Sequence, residues 1–174
     1  MPLIDQILLM VLMKESLNNE IMTNEALQNS ISKWFPEIEF TEENTEFLTL
    51  TVSKEQWHEV ALKLKEEETM QFDYLFCETG MDWKTSLGVI YHLRSTILNH
   101  EIVVKVHTED RENANIDTVC DIWRTAELHE REIHDLFGIS FNNHPNMKVL
   151  ILPENWEGYP LRKDYDDPVN MILR

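Results

Sequence analysis

The chain has 174 residues, of which 43% are apolar and 27% are charged, so it is long enough for one hydrophobic core and has the composition of a globular rather than a disordered protein. The formal net charge is −17, and the acidity is concentrated in residues 1–123, which hold nine Lys/Arg against 23 Asp/Glu, while residues 124–174 hold six against nine. A negative surface repels phosphate groups, which excludes nucleic acid as an expected partner and disfavours direct binding to anionic lipid.

An apolar run from Leu3 to Met13 opens the chain. It is too short for a bilayer core of about 30 Å, and no basic residue precedes it as in a signal peptide. It predicts a short helix docked on the domain or on a partner, with a helix in the membrane interface as the alternative. We divide the chain into an N-terminal apolar segment (1–22), an α+β domain (23–138) and an extended docking tail (139–174).

Helical and extended patterns alternate through the domain. Thr23 or Asn24 can cap a helix that runs to Phe35 and is ended by Pro36. A second helix is predicted to follow the capping-box pattern S-x-x-Q at residues 53–56 and to reach residue 68. Runs rich in β-branched and aromatic residues predict strands at 37–40, 47–52, 72–78, 87–93 and 102–106.

The arrangement of these elements follows from their spacing. Gly80 and Asp82 predict a turn after the third strand, and the close spacing of the last two strands predicts an antiparallel hairpin. On the second helix, Trp57, Val60 and Leu64 share one apolar stripe with Ala61, which needs a sheet to cover it. The pattern predicts an α+β fold with a mixed sheet of four or five strands and helices on one face.

The character of the sequence changes after residue 116. A short helix is predicted over 119–123 and a longer one from Thr125 to Phe137, with Gly138 as a left-handed cap. Beyond it there are two short extended pieces, 139–141 and 149–152, and prolines that keep the chain open. Such a segment cannot satisfy its own backbone, so it must lie along something else.

Motifs for catalysis and metal binding fail on spacing. His129 and Glu130 begin a zinc-protease pattern, but the second histidine is His134, one residue too far along the helix to converge on one ion. The four glycines form no phosphate-binding loop. Cys77 and Cys120 are too few for an iron–sulfur cluster and are interpreted as small buried hydrophobes in a reducing compartment. We expect no catalytic, cofactor-binding or metal-binding residue on this chain.

A string of residues in the C-terminal part carries more information. It comprises Glu130-Arg131-Glu132, Asp135-Leu136-Phe137-Gly138, His144-Pro145, Leu150 to Glu154, Gly158 and Pro160 to Tyr165. In order and spacing it resembles the 30-kDa-type subunit of the proton-pumping NADH:quinone oxidoreductase, respiratory complex I. A looser match extends back to residue 71. Departures from the family pattern at Asp117, Leu128, Asn143, 147–149 and Tyr159 leave the electron donor open.

The resemblance implies a cofactor-free structural subunit of the hydrophilic arm. Its implied partners are the quinone-site subunit and the iron–sulfur subunits, with FMN and the clusters carried by those partners. The implied location is peripheral, at the cytoplasmic face of the inner membrane, with membrane association only through the complex. The alternatives are the equivalent subunit of an energy-converting hydrogenase or other-donor complex, or a free-standing small-molecule-binding α+β protein.

Several residues of the string are expected at subunit interfaces. Arg131 is expected to pair with Asp135 or with an acidic group of a partner, and Arg162 and Lys163 with carboxylates or helix C-termini of a partner. Aromatic residues of the tail are expected to anchor it, with packing on the chain's own domain as the alternative. The expected interface residues are Glu130, Arg131, Glu132, Asp135, His144, Pro145, Trp156, Tyr159, Arg162, Lys163, Asp164 and Tyr165.

Overall fold

The structure is a computed structural model that describes residues 22–41 and 47–167, so the apolar run from Leu3 to Met13 lies outside the described residues. Three helices and seven strands alternate along the described chain. In order they are α1 (Asn24–Trp34), β1 (Glu39–Phe40), β2 (Leu48–Ser53), α2 (Trp57–Glu66), β3 (Tyr74–Asp82), β4 (Leu87–Arg94), β5 (Glu101–Thr108), β6 (Asn115–Asp117), α3 (Ala126–Phe137) and β7 (Ser140–Asn142).

Five of the strands form one mixed sheet in the order β1-β2-β5-β4-β3. Strands β2 and β5 are parallel, and the other neighbours are antiparallel, including the predicted β4–β5 hairpin. The predicted α+β fold with a mixed sheet is therefore confirmed. Strand β3 lies at the edge of the sheet, and β6 and β7 form a separate parallel pair.

The predicted apolar stripe of α2 is confirmed as part of the core. Trp57, Val60, Ala61 and Leu64 are each at most 1% exposed. The Trp57 ring lies 4.3 Å from the ring of Tyr91 on β4, which ties α2 to the centre of the sheet. Helix α1 is capped as predicted, because the Thr23 hydroxyl accepts the Ala26 N–H.

Two local predictions were wrong. Ser53 is the last residue of β2, and α2 begins at Trp57 after Gln56, which makes no side-chain capping bond, so there is no capping box. The turn predicted at Gly80 and Asp82 is instead the second half of β3. Gly80 is a packing glycine: a Cβ there would lie 2.5 Å from the Phe137 ring, so its absence lets α3 approach β3 closely.

The first residues of the predicted tail pack against the domain. Ile139 and Phe141 are buried in the core, and β7 pairs with β6. The segment 119–123, predicted as a short helix, is a turn in which the N–H groups of Ile122 and Trp123 both bond the Val119 carbonyl.

The contact between Gly80 and Phe137 gives a first prediction. Gly80→Val is expected to lower the free energy of unfolding by about 1–3 kcal/mol, because the new side chain collides with α3. Urea unfolding of the variant and of the matched control Thr79→Val, at the exposed neighbouring position, measures the effect. Equal midpoints for the two variants would contradict the close α3–β3 packing.

Candidate subunit interface

Helix α3 carries the first part of the predicted interface and is fixed at both ends. At its start, the Thr125 hydroxyl donates to the Leu75 carbonyl of β3 at 3.0 Å. At its end, Gly138 adopts a left-handed conformation with φ of 68°, as predicted for the cap. The helix is thus held in one orientation, which decides where its polar side chains point.

Glu130 is buried inside the domain rather than at the surface. Its carboxylate accepts hydrogen bonds from the Thr118 hydroxyl at 2.5 Å, the Val119 N–H at 2.8 Å and the Cys120 thiol at 3.3 Å. Burial raises the pKa of Glu130, and these donors oppose the shift. Glu130 therefore joins α3 to the turn before it and is 0% exposed in this chain, while its place at a subunit interface stays a prediction.

His144 is buried beside Glu130 and holds the loop after β7 onto α3. Its Nδ1 accepts the Asn146 N–H at 3.0 Å, so Nε2 carries the proton and donates to the Glu127 carbonyl at 3.1 Å. Ligand atoms of His144, Glu130 and Cys120 lie within 4.8 Å of one another, a grouping that sequence spacing did not indicate. Because Nε2 is protonated in this arrangement, it favours hydrogen bonding over metal ligation.

A second acid, Glu78 on β3, is also buried. Its side chain lies opposite Tyr91 of β4, and both carboxyl oxygens lack a hydrogen-bond partner among the described residues, as does the Tyr91 hydroxyl. Burial, reinforced by the nearby Glu130, raises the pKa of Glu78 well above its usual range. The surroundings of Glu78 therefore favour its protonated form.

The backbone of the tail is bound by two side chains of α3. Asp135 Oδ2 accepts the N–H groups of residues 150–152 at 2.7, 2.8 and 3.4 Å. Arg131 donates to the carbonyls of Lys148 and Val149 at 2.9 and 3.0 Å. The described contacts therefore contain no pair between Arg131 and Asp135, because the guanidinium binds backbone carbonyls of the chain's own tail. A pair between Arg131 and an acidic group of a partner stays a prediction.

A buried ion pair fixes the end of the tail to the domain. Arg111 donates to both carboxylate oxygens of Asp82 at 2.7 and 3.0 Å and to Asp164 at 2.9 Å, and Asp82 also accepts the Lys163 N–H at 2.9 Å. The Arg111 guanidinium holds the pKa of Asp82 well below its usual range and lowers that of Asp164. We call these four residues the tail latch.

Arg162 was expected to meet carboxylates or helix C-termini of a partner, which stays a prediction, and within the chain it lies at the end of α3. Its guanidinium donates to the carbonyls of Phe137 at 2.6 Å and Arg111 at 3.0 Å, and it lies 4.5 Å from the Tyr159 ring centre. Its contact with the carbonyl end of α3 is favourable, since a helix C-terminus attracts cations. Lys163 is exposed, while its backbone N–H belongs to the latch.

The apolar side chains of the tail face outward. Of the eleven large hydrophobic residues that are exposed in the described part of the chain, six lie between residues 149 and 161. Trp156 and Tyr159 are 40% and 37% exposed, and Tyr165 is half-buried against Gly158. Exposed apolar surface concentrated in one segment marks an interaction site. We call residues 149–161 the apolar tail segment.

Comparison with known proteins assigns the chain to a family. The family model for the 30 kDa subunit of respiratory-chain NADH dehydrogenase matches residues 50–169. The chain belongs to this family. The match begins well before residue 71 and covers most of β2, the whole of α2 and the whole of the apolar tail segment.

Members of the 30 kDa family with curated names resemble the chain over about two thirds of its length. It is 46% identical to the combined C/D-type subunit of the NADH-quinone oxidoreductase of Phocaeicola vulgatus, over 71% of this chain and 24% of that protein. It is 41% identical to the C-type subunit of the NADH-quinone oxidoreductase of Chloroherpeton thalassium, over 63% of this chain and 46% of the relative. The chain thus spans about a quarter and about half of these two relatives.

Solved structures show the same fold. A chain of the membrane-bound sulfane sulfur reductase, an archaeal respiratory membrane complex, aligns with a TM-score of 0.70 and 28% identity over 82% of this chain and 85% of that one. The trypsin-resistant fragment 1–134 of Nqo5 aligns with a TM-score of 0.60 and 25% identity over 72% of this chain and 99% of the fragment. Among the described residues, no helix is long and apolar enough to cross a bilayer.

In this member of the 30 kDa family, sequence reasoning missed three residues that organise the site. Asp82 was assigned to a turn, and Arg111 lies in a loop without any periodic pattern, so nothing in the sequence linked them. Glu78 could have been found, because a carboxylate in a strand of alternating burial is unusual. Glu132 and Pro145 are exposed, as an interface residue requires.

Glu78 gives a prediction for the dependence of stability on pH. Folding raises the pKa of Glu78 and so favours its protonated form, whereas the unfolded chain releases the proton above the usual pKa of 4.5. Stability is therefore lost as the pH rises above about 5, with a slope approaching about 1.4 kcal/mol per pH unit for one proton. Glu78→Gln is expected to flatten this slope, measured by urea unfolding between pH 5 and 8.

Glu132→Gln is the matched control, because Glu132 is an exposed glutamate on α3. It should leave the slope of the parent chain unchanged. If the Glu78→Gln variant kept the parental slope, Glu78 would be ionised in the folded chain.

Asp135 gives a prediction for the tail. Asp135→Ala leaves the N–H groups of residues 150–152 without their charged acceptor. Charge-assisted hydrogen bonds contribute about 1.5–3 kcal/mol, so local opening and trypsin cleavage after Lys148 should rise about tenfold or more. Glu132→Ala, on an exposed position of the same helix, should cleave at the parental rate. Equal rates in the two variants would mean that Asp135 does not hold the tail.

Proposed function

We propose that this chain is a cofactor-free structural subunit in the hydrophilic arm of a NADH:quinone oxidoreductase, where it docks against neighbouring subunits through its tail. The observation that carries this proposal is the apolar tail segment. Its flanks are fixed to the domain by Asp135 and by the tail latch, while Leu150, Ile151 and Trp156 face outward. A surface that is ordered in advance loses less conformational entropy on binding.

The proposed partners are the quinone-site subunit and the iron–sulfur subunits of the same complex. The names of the relatives support a partner within the same complex, since several carry a C/D designation and this chain covers only about a quarter of them. A combined name points to one polypeptide that carries both parts, which keeps the two parts adjacent. The remainder of such a protein is the proposed neighbour of the tail.

We also propose that FMN and the iron–sulfur clusters are carried by the partners and not by this chain. The full sequence has two cysteines, whereas a cluster takes about four ligands. Cys120 is tied to Glu130, and burial raises the pKa of its thiol to about 12, far from the thiolate that ligates a metal. The proposed location is peripheral, on the cytoplasmic face of the membrane that holds the complex.

A second candidate is the equivalent subunit of a respiratory complex with a different reaction. The solved chain from an archaeal sulfane sulfur reductase aligns over more of this chain than the Nqo5 fragment does. The same fold therefore serves complexes with different chemistry. Relatives at 40–46% identity carry the NADH-quinone oxidoreductase name, which favours NADH.

Affinity purification of the tagged full chain from native membranes tests the proposal. The double variant Leu150→Ser, Ile151→Ser is expected to recover the partner subunits at least about tenfold less well than the parent, because burying each side chain contributes about 1.5–3 kcal/mol. The bound proteins are identified and quantified by mass spectrometry.

The matched control is the double variant Leu62→Ser, Ile97→Ser, which removes two exposed apolar side chains outside the tail. It should recover the partners as the parent does. Equal losses in both double variants, or no loss in either, would rule out the apolar tail segment as the docking surface. Recovery with a sulfur reductase or a hydrogenase instead of a NADH dehydrogenase would decide for the second candidate.

A further inference from the structure

The outer edge of β3 is unpaired over most of its length. On its inner side β3 pairs with β4 through eight residue pairs. On its outer side the only partners among the described residues lie near the ends, where Thr125 bonds the Leu75 carbonyl and the Lys163 N–H bonds the Asp82 side chain. Between them the outward backbone groups of residues 76–81 bond no described residue.

A groove of about 430 Å³ follows this edge. One wall consists of the consecutive β3 residues 76–80, and the other consists of α3, including Ile133 and Leu136, with Leu161 from the tail. One wall therefore offers backbone donors and acceptors, and the other offers apolar side chains. This combination fits an extended peptide that adds a strand to the sheet.

Two buried polar groups in the groove lack a partner. The carboxyl group of Glu78 and the Nδ1 atom of His129 both line it, and neither has a hydrogen-bond partner among the described residues. Buried polar groups are almost always satisfied in the functional state of a protein. Their lack of partners is an observation independent of the strand edge, and it indicates that a polar ligand enters the groove.

The edge has some of the features that keep strands apart in monomeric proteins and lacks others. A register shift between Leu75 and Cys77 interrupts the pairing of β3 with β4, and Glu78 is an acidic residue that points inward. Lysine and proline, which protect other natural edge strands, are absent. Strand β3 has nine residues with the sequence YLFCETGMD, which contains neither lysine nor proline, and it exposes Tyr74 and Phe76. A long edge of this kind is stable in a cell when another segment covers it.

We infer that the β3 groove binds an extended segment of a neighbouring subunit, which adds a sixth strand to the sheet and places a basic side chain near Glu78 and Glu132. This inference rests on the proposed function, because Leu161 belongs both to the groove and to the apolar tail segment. The exposed Glu132 on the α3 wall of the groove and the net charge of −17 select a basic segment. The same charge disfavours a second copy of this chain.

The native thiol of Cys77 can be used to measure whether the groove is covered. It lines the groove and is half-buried, and its sulfur lies 3.4 Å from the Thr79 hydroxyl. In a Cys120→Ser background it is the chain's only thiol. Maleimide labelling of Cys77 is expected to be at least about tenfold slower in the purified complex than in the full chain expressed alone. The control is a Cys77→Ser, Cys120→Ser, Ile97→Cys variant, whose thiol should label equally in both states.

A photo-crosslinking amino acid at the exposed position Thr79 identifies the occupant. Crosslinks in the complex to successive residues of one basic, extended segment of a partner subunit support the inference. Crosslinks to a second copy, or to residues 168–174 of the same chain, would overturn it.

The labelling result separates this inference from the proposed function. If the partners co-purify while Cys77 labels as fast as in the chain alone, the groove is open in the complex, and the inference fails while the docking tail stands. If the chain purifies without partners, both fail together.

Discussion

A segment without helix or strand still has to satisfy its backbone hydrogen bonds, and in this chain the tail does so through side chains of the domain. Asp135 accepts three successive N–H groups, and Arg131, one helical turn earlier, donates to the two carbonyls that precede them. The spacing of four residues places both side chains on one face of α3. Together they present to the tail an acceptor and a donor, as a neighbouring strand would.

These hydrogen bonds within the chain determine which side chains of the tail stay exposed. Arg131, Asp135 and Arg162 all bind the chain's own backbone, and the Asp82–Arg111 pair belongs to the latch. What the tail leaves exposed is therefore largely apolar. Charged residues in the C-terminal string hold the backbone of the tail, while the apolar residues between them stay exposed.

Two acidic residues, Glu130 and Glu78, are buried in the interior of the domain and differ in their hydrogen bonds. Glu130 accepts three hydrogen bonds, whereas Glu78 accepts none from the described residues, although the two acids are close enough for each to disfavour ionisation of the other. The hydrogen-bonded carboxylate of Glu130 fixes α3 to the turn before it. The carboxyl group of Glu78, which has no such bonds, destabilises the free domain, and this penalty in free energy falls when a donor enters the β3 groove.

Sequence reasoning succeeded where a pattern repeats and failed where a contact joins distant residues. The stripe of α2, the β4–β5 hairpin and the Gly138 cap follow from local periodicity and backbone chemistry, and the structure contains all three. Gly80 was predicted to lie in a turn, where glycine is common. Its small size instead makes room for Phe137, which is 57 positions away, and no local pattern shows that contact.

The contacts of Arg131 differ from the expected pair with Asp135 for a related reason. Sequence shows an arginine and an aspartate one helical turn apart and suggests that they bind each other, but it cannot show that both bind a backbone segment beside the helix. An irregular tail has no period from which its position could be read. Its contacts are fixed by the shape of the folded domain, and that shape exists only after the sheet and α3 have packed. Acidic and basic residues close together in such a string therefore do not reliably predict an ion pair. They indicate more reliably a place where side chains bind the backbone of an irregular segment.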